Sequence, residues 1–423
     1  MNATTARPYR AHAPETLGAA LAELPAVAER LGGGAGDWRV REVGDGNINL
    51  VFVVEGPRGS VVAKQALPYV RLVGESWPLP LARASFEHAA LVEQARHAPA
   101  RVPEVYHFDE TQALVVMEHL TPHVILRKGL IAGTVYPKLA EHVAELLAET
   151  LFKTSDLHLA AADKKQKMKF FCDNTALCKI TEDLIFTDPY RDAELNRHTS
   201  PQLDALALQF RRDTPLKRAA QELKRRFLGD AQALIHGDLH TGSLMVTEHD
   251  TRAIDPEFAF YGPMGFDIGA VLGNLLLAYY AQDGHEDRPG ARDDYREWIL
   301  TQITAIWEGF EARFRALWTE AGTGDGFVAE LFAARDDAPA RAAAEDRYLQ
   351  ALLADALRFG GMKMIRRILG LAHVEDLESI EDPERRAACE RRALALAREL
   401  VLFGERVESI AEVAPAARFH RLR

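Results

Sequence analysis

One string constrains this chain more than any other: Ile235-His-Gly-Asp-Leu-His-Thr-Gly-Ser-Leu-Met-Val-Thr247, continued by Ala253-Ile-Asp-Pro-Glu-Phe258. Two short apolar runs, at 244–246 and 252–254, flank the turn-like Glu248-His-Asp-Thr251 and read as a small hairpin. Asp238 lies on the loop leading into it, and Asp255 and Glu257 lie just past its exit, so closing the hairpin gathers three carboxylates at one end. Taken singly, each acid reads as a solvated loop residue. Taken together they suit phosphoryl transfer, in which one carboxylate orients or deprotonates a hydroxyl and others hold Mg²⁺ on nucleotide phosphates.

Upstream, apolar spacing predicts a helix over 16–31, ended by Gly32-Gly-Gly34, then strands over 38–43, 49–55 and 60–65. Between the first two strands, Gly44-Asp-Gly-Asn-Ile-Asn49 is either a plain tight turn or a loop whose amides approach phosphates. Lys64 ends a valine-rich strand. It either snorkels at a sheet edge or pairs with phosphates and with an acid of the helix expected over 81–96, Glu87 or Glu93. Trp77, between Ser76 and Pro78, is a lobe-edge plug or part of a substrate loop. The run 114–120 reads as a buried strand leading to Thr121-Pro122.

Beyond residue 136 the pattern is mainly helical, over 137–161, 174–187 and 200–228. Asp267 opens an apolar helix over 268–280, either capping it or bracing the catalytic loop. The greasiest run, 268–281, is too short for a bilayer and reads as a buried helix. Arg366-Arg367 sits inside an apolar helical run. Two adjacent guanidinium groups there call for a salt bridge to the acidic segment 375–384, or for a role with substrate hydroxyls and the moving phosphoryl group.

His-Gly-Asp-Leu-His followed by Ile-Asp-Pro-Glu-Phe resembles the aminoglycoside phosphotransferase and choline kinase group, relatives of protein kinases. Within it, His236-Gly-Asp-Leu-His-Thr-Gly-Ser243, Asp255-Pro-Glu257, the Trp77 loop and the Gly-Met-Lys-Met-Ile-Arg-Arg run of 361–367 resemble the methylthioribose kinase family. Two departures from the protein-kinase pattern stand out: Ser243 replaces the metal-binding Asn, and Asp-Pro-Glu replaces Asp-Phe-Gly.

The resemblance implies an α+β, two-lobed protein-kinase-like fold. Residues 1–117 would form a β-rich nucleotide lobe with a leading helix, 118–122 a hinge, and 123–423 a helical lobe carrying the catalytic hairpin and substrate site. It implies ATP held by Gly44, Gly46, Asn47, Lys64, Glu87, the main chain of Glu118, His119 and Leu120, and Asp255, Pro256 and Glu257. Mg²⁺ would sit on Asp255 and Glu257. Asp238 would be the catalytic residue, with Trp77, Asp238, Arg366 and Arg367 around S-methyl-5-thioribose. The family also implies a homodimer.

Composition narrows the alternatives. A net charge of −11 argues against nucleic-acid binding, and three cysteines suit a reducing cytoplasm better than a disulfide scaffold. The first residues lack the apolar core of a signal peptide. No zinc motif, serine elbow or Walker loop is present. Two readings stay open beside the thiosugar kinase: a kinase of aminoglycosides, choline or another sugar, and a non-catalytic nucleotide-binding protein.

Overall fold

The computed structural model describes residues 8–44, 48–70 and 74–422. The chain divides into two units, the first comprising Met1–Pro122, Asn174–Leu177 and Ile254–Ala259, the second His123–Asp173, Cys178–Ala253 and Phe260–Arg423.

In the first unit the expected leading helix is two helices, α1 (Pro14–Ala22) and α2 (Pro25–Leu31). Pro25 causes the split. Its ring disfavours helical geometry at the preceding residue, and Leu24 is extended at φ −101° and ψ 101°. Leu17, Leu21, Val27 and Leu31 still share one apolar face, packed on Trp38, Phe52, Val54, Val61 and Val116. The strands are β1 (Arg39–Glu42), β2 (Asn49–Glu55), β3 (Ser60–Ala66), β4 (Tyr69–Val70) and β5 (Gly74–Pro78), followed by helix α3 (Arg83–His97), then β6 (Val105–Asp109) and β7 (Leu114–Glu118). Five of them form an antiparallel sheet in the order β1-β2-β3-β7-β6, while β4 and β5 make a separate ribbon. Lys64 lies in the central strand, between Val51 and Val115, and is buried. A central strand with neighbours on both sides leaves an ammonium no route to snorkel, so it must find anions locally.

The second unit starts with β8 (Val124–Ile125), α4 (Leu126–Ala132), α5 (Leu139–Lys153), α6 (Ala161–Phe171), the part of α7 (Thr175–Phe186) from Cys178 onward, α8 (Asp204–Arg212) and α9 (Thr214–Gly229). Expected single helices are again shorter than their periodicity. At the end of α5, the Thr154 and Ser155 hydroxyls bond back to Thr150 and Phe152 carbonyls and turn the chain. Between α8 and α9, Asp213 accepts the Leu216 amide (3.0 Å) and starts a new helix just ahead of Pro215.

The hairpin region follows: β9 (Ala233–Ile235), β10 (Leu244–Val246), β11 (Thr251–Ala253) and β12 (Phe260–Gly262). β10 pairs with β11 and β8, and β12 with β9. Helices α10 (Met264–His285), α11 (Asp293–Ala321), α12 (Ala338–Leu369), α13 (Glu375–Glu378), α14 (Pro383–Phe403) and α15 (Val413–Arg421) complete the unit.

α10 is longer than the 14-residue run that announced it. At 22 residues it is long and apolar enough to cross a membrane by length and composition, yet its apolar window is 100% buried. It is the core helix of this unit. Its closest neighbour is α12, and glycine makes the approach possible. A Cβ on Gly269 would lie 2.7 Å from the Gly360 amide nitrogen, and one on Gly273 2.6 Å from the Gly360 carbonyl oxygen. This contact fixes the position of the α12 turn bearing Lys363, Arg366 and Arg367. Gly269→Val is therefore expected to force the helices apart and cost about 1–3 kcal/mol or more. A lowered denaturant midpoint measures it; an unchanged midpoint would show the contact to be soft.

Candidate active site

The first unit gathers an acidic cluster around one lysine. Lys64 donates to Glu87 Oε1 at 2.8 Å and also pairs with Asp255. Glu93, the other acid of α3 considered for this role, pairs with Arg96 and His97 instead. Glu87, Asp255 and Glu257 each present a carboxylate oxygen within 4.8 Å of the others. Asp255 reaches this position at φ +70°, a left-handed conformation outside glycine's usual domain. Such a backbone costs about 1–3 kcal/mol and persists only where its surroundings hold it.

Glu257 is gripped from two sides. Asn49 Nδ2 lies 3.2 and 3.1 Å from its two oxygens, and Arg83 Nε lies 3.4 Å away. The same Arg83 donates to the Leu67 and Ile48 carbonyls (2.6 and 2.7 Å) and to Asn49 Oδ1 (2.9 Å), tying α3 to the loop before β2. Asn174 Nδ2 donates to the Glu257 and Ala259 carbonyls (2.9 and 3.0 Å).

Charge in this cluster is unbalanced: three carboxylates face two cations. Burial pushes the Glu87 carboxyl up to about 8, against the pull of Lys64, and raises Glu257 as well. Burial works against the Lys64 ammonium too, but Asp255, Glu87 and Glu257 outweigh it and raise its pKa. A small, hard, oxygen-seeking divalent cation fits this donor set and would relieve the repulsion.

Gly44 lies in a turn before β2, with open space around its α-carbon; Gly46 and Asn47 lie outside the described residues. Glu118 ends β7, with its amide donating to the Glu104 carbonyl (2.8 Å). His119 Nδ1 meets the Ser60 hydroxyl at 2.8 Å, and Leu120 is buried. Trp77 is half-buried on β5, and Pro256 is buried between the two acids.

The second unit holds the other group. The loop carrying Asp238 is braced by Asp267, which accepts the His236 amide (2.6 Å) and the Gly237 amide (3.0 Å). Of the two roles open to Asp267, it takes the brace. Gly237 turns the loop at φ +84°, where a side chain would be strained. Ser243 donates its hydroxyl to the Asp238 carbonyl (3.0 Å), closing the loop on itself.

Asp238 is surrounded by nitrogen. Lys363 Nζ lies 2.8 Å from Oδ1, while His240 Nε2 and Arg367 Nη2 lie 3.4 and 3.8 Å from Oδ2. Burial alone would raise its pKa, but Lys363, His240 and Arg367 hold the carboxyl well below the usual carboxylate range. Arg366 is buried beside Arg367, and its Nε and Nη1 meet no hydrogen-bond partner among the described residues. Within the acidic segment, the buried Asp376 makes its direct ion pair with Arg127, at 2.9 Å, and acts on Arg367 through its charge alone. Arg127 Nη2 in turn lies 3.5 Å from His240 Nδ1 and from Asn274 Oδ1. Guanidinium groups held dry and short of acceptors are prepared for an anion.

A family model described as "Phosphotransferase enzyme family" matches residues 39–299. Methylthioribose kinase 1 of Oryza sativa subsp. japonica is 50% identical over 401 residues, 94% of this chain and 93% of that one. The chain belongs to the methylthioribose kinase family. The methylthioribose kinase of Escherichia coli O45:K1 is 46% identical over 388 residues, 92% of each chain. As a member of the methylthioribose kinase family the chain is a kinase, and its small antiparallel sheet and large helical part are the α+β, protein-kinase-like fold expected from its sequence.

Several residues of these two groups carried no assignment from sequence: Asn49, Arg83, Asn174, Arg127, His240 and Lys363. Lys363 had a usable signal, since it lies three and four residues before Arg366 and Arg367 and so on their face of α12. Arg127 and Arg83 had none, because their partners lie far away in sequence.

Proposed function

We propose that this kinase transfers the γ-phosphoryl group of ATP to the 1-hydroxyl of S-methyl-5-thioribose, giving S-methyl-5-thioribose 1-phosphate in methionine salvage. The observation that carries the reading is the 50% identity to a methylthioribose kinase across 94% of the chain. The two side-chain groups supply chemistry of the matching kind.

In this reading Lys64, positioned by Glu87, holds the nucleotide phosphates, and Gly44, Gly46 and Asn47 contribute to nucleotide binding. The main chain of Glu118, His119 and Leu120 takes the adenine edge. Asp255 and Glu257 hold Mg²⁺, with the ring of Pro256 stiffening the backbone between them. The bound ion neutralises charge on the phosphates. Asp238 accepts the hydrogen bond of the acceptor hydroxyl and orients its oxygen toward phosphorus. Its depressed pKa makes it a better orienting group than a proton store. The acceptor oxygen bonds to the γ-phosphorus as the bond from that phosphorus to the bridging oxygen of the β-phosphate breaks. ADP leaves, and the hydroxyl proton is passed by way of Asp238 to solvent rather than kept there. Trp77 faces the thiosugar, and Arg366 and Arg367 meet the phosphoryl oxygens as charge shifts.

A cytoplasmic location accords with the three free cysteines. Assembly as a homodimer belongs to the same proposal, on the family resemblance.

The test is a panel of acceptors with purified protein, ATP and Mg²⁺. Transfer to methylthioribose is expected, with none to kanamycin or choline; the opposite pattern would overturn the assignment. Within the same assay, Arg366→Lys and Arg367→Lys keep charge but lose the planar fork. Each is expected to lower turnover at least about tenfold, roughly 1.4 kcal/mol, with little change in Tm. Normal turnover in both variants would make the arginines structural.

A further inference from the structure

Asp238 is held by more than its own loop. Lys363, on α12, has a side chain only 1% exposed. The Phe266 ring lies 4.3 Å from its ammonium, and its one hydrogen bond among the described residues runs to Asp238 Oδ1 at 2.8 Å. Its neighbours Met362 and Met364 are buried and apolar. A methionine here would pack as well and would spare the unit a desolvated charge, since a buried ion pair contributes little net stability over apolar packing. A lysine kept under such conditions calls for a purpose other than packing.

The groups facing Asp238 are almost all donors. From α12 come Lys363, Arg366 and Arg367, and from its own loop His240. From α4, Arg127 acts on the same patch through His240. The nearby acid of α10, Asp267, is engaged by the His236 and Gly237 amides. His240 Nδ1 accepts the Gly242 amide (2.9 Å), which places the ring proton on Nε2, toward Asp238. Burial pushes the His240 imidazole down to about 3, so it donates as a neutral ring. Among the described residues, the formal charge in close contact with Asp238 Oδ1 is therefore the Lys363 ammonium.

We propose that Lys363 is a positioning residue for phosphoryl transfer, fixing the ionisation and the aim of the Asp238 carboxylate toward the acceptor hydroxyl. This rests on the reading of Asp238 given above. The lysine anchors one oxygen, the imidazole steers the other, and a lone-pair direction remains for the hydroxyl. Lys363 acts through Asp238 and touches no reacting atom.

The experiment compares kcat against pH for the wild type, Lys363→Met, Lys363→Arg and Asp238→Asn, at saturating Mg·ATP and methylthioribose. Lys363→Met is expected to lose up to about a hundredfold in kcat at neutral pH. Its acid limb should move up by about one to three pH units, because the cation that stabilises the carboxylate is gone. Both KM values should stay within about threefold of wild type. Lys363→Arg should keep the wild-type acid limb. A Lys363→Met enzyme whose activity falls with its Tm while the acid limb stays put overturns the proposal. An active Asp238→Asn enzyme instead overturns the reading of Asp238 itself, so the two failures are distinct. Should Lys363→Met not fold, the wild type decides: its Asp238 carboxyl carbon, assigned by NMR through its loss in Asp238→Asn, must titrate below the ordinary value of about 3.9. An ordinary midpoint would overturn the proposal.

Discussion

Asp238→Asn is expected to lower turnover by about 10²–10⁴-fold, the range typical of a positioned acid–base group, with Mg·ATP affinity close to wild type. Asparagine keeps the shape of the side chain and removes its charge. The acceptor hydroxyl would lose its charged acceptor, while Lys363 and Arg367 would lose their anion. Lys64, Glu87, Asp255 and Glu257 belong to the first unit and keep their own contacts, which is why nucleotide affinity should survive. Steady-state kinetics with calorimetric titration of Mg·ATP measures both halves. Turnover near wild type would remove Asp238 from the chemistry.

The substitution also has a signature in stability. The Asp238 carboxyl is held below its unfolded value, so its contribution is present above the ordinary carboxylate range and lost as pH falls through the folded value. Asp238→Asn should therefore lie furthest below wild type at neutral pH and approach it in acid.

Asp255→Ala is expected to weaken Mg·ATP binding and to lower kcat/KM by about 10²-fold or more, roughly 2.7 kcal/mol. Asp255 is the most exposed of the three clustered acids that pair or couple with Lys64, its side chain 45% exposed against 3% for Glu87, so it is the one best placed to meet solvent-borne Mg·ATP. Backbone and ligand effects can be separated. At φ +70° alanine is strained and glycine is not, so Asp255→Gly should be the more stable of the two variants while losing the same activity. Calorimetry showing unchanged Mg·ATP affinity in both would rule out the metal role.

Much of this arrangement was legible because local spacing carries it. The hairpin at 244–253 announced itself by two apolar runs around a polar turn, and it forms with Leu244 opposite Ala253 and Val246 opposite Thr251. The strand lysine pairs with the first of two acids offered by the following helix. Helix boundaries were less legible. Apolar periodicity runs through Pro25 and Asp213, whereas the backbone breaks at both, because a proline or a capping side chain overrides periodicity without altering it.

The cationic surround of Asp238 was the least legible part. Arg366 and Arg367 stood out as charges in an apolar helix, but the partners of this patch are set by where α12 lies against α10. That position depends on Gly269 and Gly273 meeting Gly360, a three-dimensional fit in which no single residue signals its partner. Arg127 and Asp376 join the patch from α4 and α13, elements with no sequence proximity to the loop carrying Asp238.

The central claim is a thiosugar kinase acting at the anomeric hydroxyl, and the structure of the product tests it most directly. The purified protein would be incubated with methylthioribose, ATP and Mg²⁺, and the product examined by ³¹P and ¹³C NMR. The account predicts a single new phosphate ester whose phosphorus splits the anomeric carbon, formed in step with ADP and about 10²–10⁴-fold more slowly with Asp238→Asn. Phosphorus coupled to another carbon, or ATP consumption independent of the thiosugar, would contradict it.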